Sequence, residues 1–277
     1  MTGGDDAPKT KVPEWALERM ERALNDLQQV MDVLHLSMSG ISSLRGMPGM
    51  VEILAELHED TSEETERRLA DAKRSAQLAQ SEVENGFPLI HRQAVLSLCS
   101  VIDALVWDIC AAWLREVPEA LRIPAIRGLT LEFGEFLELN ESDRIDYLLR
   151  RLEQKTGADE GEGTSRFERL LTVFGLGGYL TETCRKNVFE MFKVRNVIVH
   201  RGGRVDSKLL RECPWLDGQA GEQIDIPHAD VARFADAVEE YVAVLMLRVS
   251  VHFDSGIGSR SLAAYKESGW PVPELEG

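Results

Sequence analysis

Residues 17–41 read LERMERALNDLQQVMDVLHLSMSGI and carry the most regular pattern in the chain. Apolar side chains recur there at alternating spacings of three and four residues, which is typical of one face of a helix. The stripe consists of Leu17, Met20, Leu24, Leu27, Met31, Leu34, Met38 and Ile41. About three and a half heptads is near the length at which a coiled coil is predicted. We therefore expect a long helix that packs either against the next helix of the chain or against a second copy.

The rest of the chain shows the same helical spacing of apolar residues. Further stripes cover residues 69–83, 89–115, 145–152, 167–174, 188–199 and 231–249. Residues 51–57 form a short apolar turn, and only 223–226 is a candidate for extended structure. Because almost nothing alternates with a period of two, the sequence predicts an all-α fold.

Turn residues divide these helices into domains. Asn85-Gly86-Phe87-Pro88 is the strongest break. We expect a flexible tail over 1–12, a long N-terminal helical hairpin over 13–87, a helical bundle over 88–253 and a peripheral tail over 254–277. Within the bundle, Ser165 and Glu168 form a capping-box signal, and Thr181 can cap the helix that ends near His200.

The chain lacks the motifs of the common metal and cofactor sites. Its six histidines show no HExxH or Glu-x-x-His spacing, and GxxxxGK[ST], GxGxxG and GxSxG are absent. The four cysteines, Cys99, Cys110, Cys184 and Cys213, form no CxxC pair. We interpret them as reduced thiols of the core. The sequence therefore predicts neither a metal nor a cofactor.

The N-terminal residues and the apolar runs predict a cytoplasmic protein. Residues 1–11, MTGGDDAPKTK, contain no apolar core and do not resemble a signal peptide. No apolar run approaches the roughly 20 residues that span a bilayer. We therefore expect no membrane partner.

The charge of the chain is unevenly distributed. A net charge of −16 argues against general coating of nucleic acid and against anionic membranes. Between Arg185 and Arg211, however, eight basic residues face only Glu190 and Asp206. This basic island is either a solvated helix end or a site for a local phosphate-containing ligand. The candidate ligand-binding cations in it are Lys193, Arg201, Arg204 and Lys208.

The basic island contains the most unusual stretch, VFEMFKVRNVIVHRGGRVDSK at residues 188–208. Arg195 falls within the apolar stripe, where a guanidinium needs a partner. Asp103, beside the stripe of the helix at 89–115, is a candidate for that partner. His200 follows five residues later and is the side chain most easily adapted to proton transfer near neutral pH. Gly202 and Gly203 are expected to end the helix.

The run VRNVIVHRGGRVD resembles the RNxxxH signature of HEPN domains, and the resemblance covers about residues 88–250. The preceding stretch RQAVLSLCSVIDALVWDIC is similar to an early HEPN helix that carries a buried acidic or polar residue, and Asp103 occupies that place. The resemblance implies a compact all-α bundle. It also implies a metal-independent endoribonuclease that acts as a homodimer, with two motifs facing one composite cleft. A toxin or phage-defence effector, with an antitoxin or another regulatory protein as partner, is the biological role it suggests.

The residue types suit cleavage of RNA to a 2′,3′-cyclic phosphate and a 5′-hydroxyl. His200 can move the proton of the 2′-hydroxyl or of the leaving oxygen, Arg195 can bind the phosphoryl oxygens, and Asn196 can orient either group. On an ideal helix, however, Arg195 and His200 point about 140° apart. A frayed helix end or a second subunit is needed to join them at one phosphate.

Two other interpretations remain open from the sequence. The first is an HEPN module that binds RNA or a nucleotide without cleaving it. The second is a helical interaction protein in which Arg195 forms a structural ion pair with Asp103 and His200 caps the helix end.

Overall fold

The computed structural model describes residues 12–253. The predicted tails at 1–12, apart from Val12, and at 254–277 lie outside the described residues. The described part contains eleven α-helices and no β-strand, which confirms the all-α prediction. The helices are α1 (Glu14–Leu44), α2 (Met47–His58), α3 (Glu63–Glu84), α4 (Pro88–Glu116), α5 (Pro124–Arg127), α6 (Phe133–Glu138), α7 (Glu141–Thr156), α8 (Thr164–Val173), α9 (Glu182–Arg201), α10 (Ser207–Glu212) and α11 (His228–His252).

Local signals in the sequence set several helix ends correctly. The Thr181 hydroxyl accepts a hydrogen bond from the Cys184 N–H at 3.0 Å and so caps the start of α9. Gly202 and Gly203 have φ angles of +60° and +80°, so the chain leaves α9 through the left-handed region that glycine favours. Gly86 likewise has a φ of +72°, at the predicted break before α4.

Other local predictions were wrong. The segment expected to be a short apolar turn forms the complete helix α2, so residues 13–87 contain three helices rather than a two-helix hairpin. No residue of α2 is buried, and Met50, Ile53 and Leu57 are more than 60% exposed. The capping box was also wrong, because Gly163 precedes α8 without a side-chain cap. The Glu168 carboxylate instead binds Arg248.

The chain separates into two compact units. Of the described residues, the first contains 12–27, 98–196 and 234–253, and the second contains 28–97 and 197–233. Each unit draws on residues from both sides of the break predicted at 85–88. The division therefore follows long-range contacts rather than the order of helices along the chain.

The first unit has an aromatic and aliphatic core. The Trp15 and Trp113 rings meet edge to face with their centroids 5.6 Å apart, and Phe253 lies 5.3 Å from Trp113. The helices α4, α7, α8, α9 and α11 contribute fully buried side chains to this unit, including Ile102, Leu149, Leu171, Met191 and Tyr241. These helices hold the central part of α9 within the unit.

Helix α4 is long and apolar enough to span a membrane, by length and composition alone. The sequence predicts no apolar run of that length. Helix α4 has 29 residues, and 56% of its most apolar window is buried within the protein. Its side chains Leu98, Ile102 and Ile109 are fully buried. Core helices of globular proteins meet the same criterion.

Three histidine rings lie next to one another in the second unit. His228 lies 5.8 Å from His35 and 5.5 Å from His91 between ring centroids. His91 is only 1% exposed, and its Nδ1–H donates to the Ile226 carbonyl at 2.7 Å. Because Nδ1 carries the proton of the neutral ring, Nε2 presents a lone pair, and that atom is buried without a hydrogen-bond partner. Burial, and then the neighbouring His228, lower the pKa of His91.

We expect the protein to lose stability as the pH falls below about 6.5, the ordinary pKa of histidine. Burial also lowers the pKa of His252, so both histidines bind a proton more readily in the unfolded chain than in the folded one. Acid therefore favours unfolding. Urea unfolding at pH 7.5 and pH 5.5 tests this. His91→Phe should reduce the pH dependence, whereas His58→Gln, on exposed α2, should leave it unchanged. Equal pH dependence in all three proteins would contradict the prediction.

Candidate functional site

The first unit contains a cavity of about 250 Å³ beside the central part of α9. Helix α9 supplies Lys193, Arg195 and Asn196 to its lining, α4 supplies Asp103 and α8 supplies Arg166. The cavity thus brings together four of the residues singled out from the sequence. A volume of this size accommodates one small charged group and its nearest neighbours.

The acidic, glycine-rich loop before α8 closes one side of the cavity. Gly163 has a φ of +55°, and a Cβ atom there would lie 2.8 Å from the Cα of Phe189 on α9. A side chain at this position would force the loop away from α9. Glycine is therefore required both for the backbone conformation and for the close approach.

Two of the three cations in the cavity are neutralised by carboxylates. Arg166 lies 3.2 Å from Asp103 and 3.3 Å from Glu153. The Lys193 ammonium lies 2.5 Å from Glu162 and 4.9 Å from the centre of the Phe189 ring. Lys193 is only 5% exposed, so the predicted RNA-binding cation lies in the cavity wall rather than on an open face.

Arg195 is the cation of the cavity without such a neighbour. Its Nη1 donates to the Asn196 side-chain carbonyl at 3.2 Å, and no described carboxylate lies within 4 Å of its guanidinium. The expected ion pair between Arg195 and Asp103 is therefore wrong. Asp103 pairs with Arg166 instead. Burial raises the pKa of Asp103, while the charges of Arg166 and then Arg195 oppose the rise. Arg195 thus acts on Asp103 through space without a direct contact.

Asp159 carries the opposing charge at the cavity. It accepts a hydrogen bond from the Glu160 N–H at 3.1 Å, and its carboxylate forms no ion pair with a described residue. The cavity therefore offers one unpaired guanidinium and one unpaired carboxylate.

His200 lies outside this cavity, in the last turn of α9. Its side chain is exposed and belongs to the second unit. Because α9 continues unbroken to Arg201, the frayed helix end considered from the sequence is not found. On an intact helix, Arg195 and His200 are separated by about 7.5 Å along the axis and about 140° around it. Within one chain the two side chains therefore face different directions.

The remaining predicted cations lie beyond His200 and are exposed. Arg201 lies 3.7 Å from Asp206, and Lys208 lies 3.9 Å from Glu212. Arg204 donates to the Gly221 carbonyl at 3.2 Å. These contacts are solvent-exposed and weak, so the three cations remain accessible to an anionic ligand.

The sequence did not identify Arg166 or Glu162 as parts of the site. Arg166 pairs with Asp103 across 63 residues, and Glu162 contacts Lys193 from a loop. Neither falls in a motif. The charge of Arg195 pointed only to Asp103, so the sequence offered no signal for either residue.

The described part of the chain contains no cluster of metal ligands and no exposed thiol. No group of three or more His, Cys, Asp or Glu side chains there is placed to hold a metal ion. All four cysteines are free and buried, and burial raises their thiol pKa where a shift is resolved, to about 12 for Cys184. Such thiols are poor nucleophiles.

Comparison with protein families, curated proteins and solved structures finds no match for this chain. The HEPN resemblance therefore depends on the residues of the motif and of the helix around Asp103.

Proposed function

We propose that the protein is a metal-independent endoribonuclease of the HEPN type, built around Arg195, Asn196 and His200. The proposal rests on the surroundings of the Arg195 side chain. It faces a cavity, it lies beside an amide, and it is the cation there without a carboxylate contact. A guanidinium in that position gains most from an anion that can accept two parallel N–H bonds, and a phosphodiester is such a group.

The reaction needs a group that moves protons and a group that stabilises charge. The 2′-oxygen attacks phosphorus, the bond to the 5′-oxygen breaks, and a 2′,3′-cyclic phosphate and a 5′-hydroxyl result. His200 takes the proton of the 2′-hydroxyl or delivers one to the leaving 5′-oxygen. Arg195 and Asn196 stabilise the charge that develops on the phosphoryl oxygens.

A homodimer is part of the proposal because α9 is straight. Arg195 and His200 of one chain cannot both reach one phosphate at an angular separation of about 140°. In a two-fold dimer, each cleft receives Arg195 from one copy and His200 from the other. The exposed cations Arg201, Arg204 and Lys208 then extend the path of the RNA on the His200 side.

The cellular role follows from the same proposal. An RNA-cleaving enzyme with a net charge of −16 does not bind RNA indiscriminately, since its basic residues exceed the acidic ones by eight to two only locally, between Arg185 and Arg211. Restricted binding suits a cytoplasmic toxin or phage-defence effector whose activity is held in check by an antitoxin or another regulatory protein. Non-catalytic binding of RNA or a nucleotide by the same residues is the alternative.

We expect RNA cleavage that persists in EDTA and leaves 2′,3′-cyclic phosphate and 5′-hydroxyl ends. His200→Ala and Arg195→Ala should each reduce the rate by about 10²–10⁴-fold, the range for loss of a proton-transfer or charge-stabilising group. End-labelled RNA resolved on gels, with chemical analysis of the ends, measures both. Arg67→Ala, at a 73% exposed side chain of α3 outside the basic island, is a matched control.

Four results would reject this proposal. Cleavage that survives His200→Ala, or that requires a divalent metal, would exclude the mechanism. Salt-sensitive binding without cleavage would favour the non-catalytic module. Loss of folding in Arg195→Ala, with no RNA bound by the wild type, would favour a structural interaction protein.

A further inference from the structure

Helix α2 carries an apolar face that the described residues leave uncovered. Five large apolar side chains lie along it, each between 38% and 73% exposed. This α2 stripe consists of Met47, Met50, Ile53, Leu54 and Leu57. On an ideal helix the five side chains fall within an arc of about 120°. An amphipathic helix normally turns such a stripe towards the core, whereas α2 turns it towards solvent.

The α2 stripe lies on the side of the helix opposite to its packed side. The less exposed residues of α2 are Pro48, Val51 and Ala55. Their side lies about 140° around the helix from the stripe. Helix α2 packs against α3 in the second unit, where Glu52 pairs with Lys73 at 3.3 Å. The contact with α3 therefore holds α2 in place without covering the stripe.

The spacing along the stripe is the same in both directions of the chain. Intervals of three, four and three residues separate Met47, Met50, Leu54 and Leu57. Two copies of α2 can therefore pack antiparallel about a two-fold axis near Glu52. Met47 then faces Leu57 of the partner subunit, and Met50 faces Leu54 of the partner subunit. Such a self-complementary patch is what a two-fold interface requires.

Opposite charges lie at the two ends of the stripe. Arg45 precedes α2 and Glu59 follows it, and both side chains are exposed. In the antiparallel pair, Arg45 lies opposite Glu59 of the partner subunit, since both positions are seven residues from Glu52. Within one chain the length of α2, about 18 Å, separates the two charges. The charges therefore complement a second copy, whereas Glu56, Glu59 and Asp60 would be repelled by an anionic membrane.

The area of the stripe is compatible with a reversible dimer. At about 100 Å² of apolar surface for each aliphatic side chain, the exposed fractions correspond to about 300 Å² per copy. A standard interface buries about 800 Å² per partner, of which about 450 Å² is apolar. The stripe supplies about two thirds of that apolar part, so we expect a Kd in the micromolar range rather than a permanent dimer.

We propose that the α2 stripe binds the α2 stripe of a second copy in an antiparallel, two-fold homodimer. This inference goes beyond the proposed function, because α2 lies outside the residues that resemble HEPN domains and takes no part in cleavage. The composite cleft requires two copies but does not identify a surface that holds them together.

Sedimentation equilibrium of the full chain over a series of concentrations measures the dimer. We expect Leu54→Lys to raise the Kd about 100-fold, because a dimer contains the substitution twice and each copy costs about tenfold. Leu137→Lys, at a similarly exposed side chain of α6, is the matched control and should leave the Kd unchanged.

Reversal of the two end charges tests the antiparallel arrangement. Arg45→Glu and Glu59→Arg should each raise the Kd about tenfold, since each variant brings like charges together twice in one dimer. The double variant Arg45→Glu/Glu59→Arg should return the Kd close to the wild-type value. Because the two positions lie at opposite ends of α2, such recovery indicates a contact between copies.

The outcomes separate this inference from the proposed function. A dimer that Leu54→Lys leaves intact would overturn the α2 interface, and RNA cleavage by that dimer would leave the ribonuclease standing. No recovery in the double charge variant would overturn the antiparallel pairing. Recovery without RNA cleavage by the wild type would support the interface and reject the ribonuclease. If Leu54→Lys loses its helical circular dichroism, the charge variants, which keep the stripe intact, decide in the same way.

Discussion

Mixing two inactive variants, Arg195→Ala and His200→Ala, should restore about a quarter of the wild-type cleavage rate once their subunits exchange. Each variant alone should be nearly inactive. The recovery is expected because a mixed dimer contains one cleft with both residues mutated and one cleft with both residues intact. Half of the dimers in an equal mixture are mixed, and each has one of its two clefts complete.

Because of the geometry of α9, restored activity would indicate a cleft shared by two subunits. If Arg195 and His200 of the same chain acted on one phosphate, every chain in the mixture would lack one of them, and no activity would return. The intact helix from Glu182 to Arg201 keeps the two side chains about 140° apart, which disfavours that arrangement. Complementation therefore tests the composite cleft directly, whereas single variants test only that each residue matters.

A matched control is available for the mixture. Arg195→Ala combined with the double variant Arg195→Ala/His200→Ala contains no intact Arg195 and should stay inactive. Sedimentation should show a dimer for the wild type and for each variant. A monomer at tens of micromolar, or mixed dimers without activity, would contradict the composite cleft.

The sequence predicted the local features of the site and missed its long-range ones. Thr181 at the start of α9 and the two glycines after it are neighbours in the chain, so their effect on the helix ends is readable from spacing alone. The partner of Asp103 could not be predicted from local spacing. Arg166 reaches it from 63 residues away, on a helix whose orientation depends on the packing of the whole first unit.

The same distinction explains the errors in the fold. Residues 47–58 have apolar residues on a helical spacing, but two glycines and a proline nearby suggested a turn. The segment forms a helix that contacts α3, with Glu52 paired to Lys73 at 3.3 Å. Likewise, Glu168 has the spacing of a capping residue relative to Ser165. A buried arginine 80 residues later binds it more strongly than the backbone of its own helix could.

The second large effect is expected on stability, when the buried Arg248 is replaced. Arg248 is 3% exposed, and its Nη1 donates to both carboxylate oxygens of Glu168 at 3.0 Å. It also donates to the carbonyls of Leu176 and Tyr179, each at 3.0 Å. Glu168 in turn accepts from the Tyr241 hydroxyl at 2.9 Å. Burial raises the pKa of Tyr241, so the hydroxyl remains a donor at neutral pH.

We expect Arg248→Met to lower the free energy of unfolding by about 3–5 kcal/mol, the usual result when one partner of a buried ion pair is removed. The loss arises because the Glu168 carboxylate and two backbone carbonyls stay buried while their shared donor disappears. Urea unfolding monitored by circular dichroism measures the change. Arg67→Met, in an exposed pair with Glu63, should cost less than about 1 kcal/mol.

Neutralising the carboxylate should recover part of this loss. Glu168→Gln still accepts from Tyr241, and it removes the buried charge that Arg248→Met leaves uncompensated. The double variant should therefore be more stable than the sum of the single changes predicts, by about 0.5–3 kcal/mol. Strict additivity would show that the two side chains contribute independently and that the ion pair does not hold α8 to α11. A loss in Arg248→Met no larger than in Arg67→Met would lead to the same conclusion.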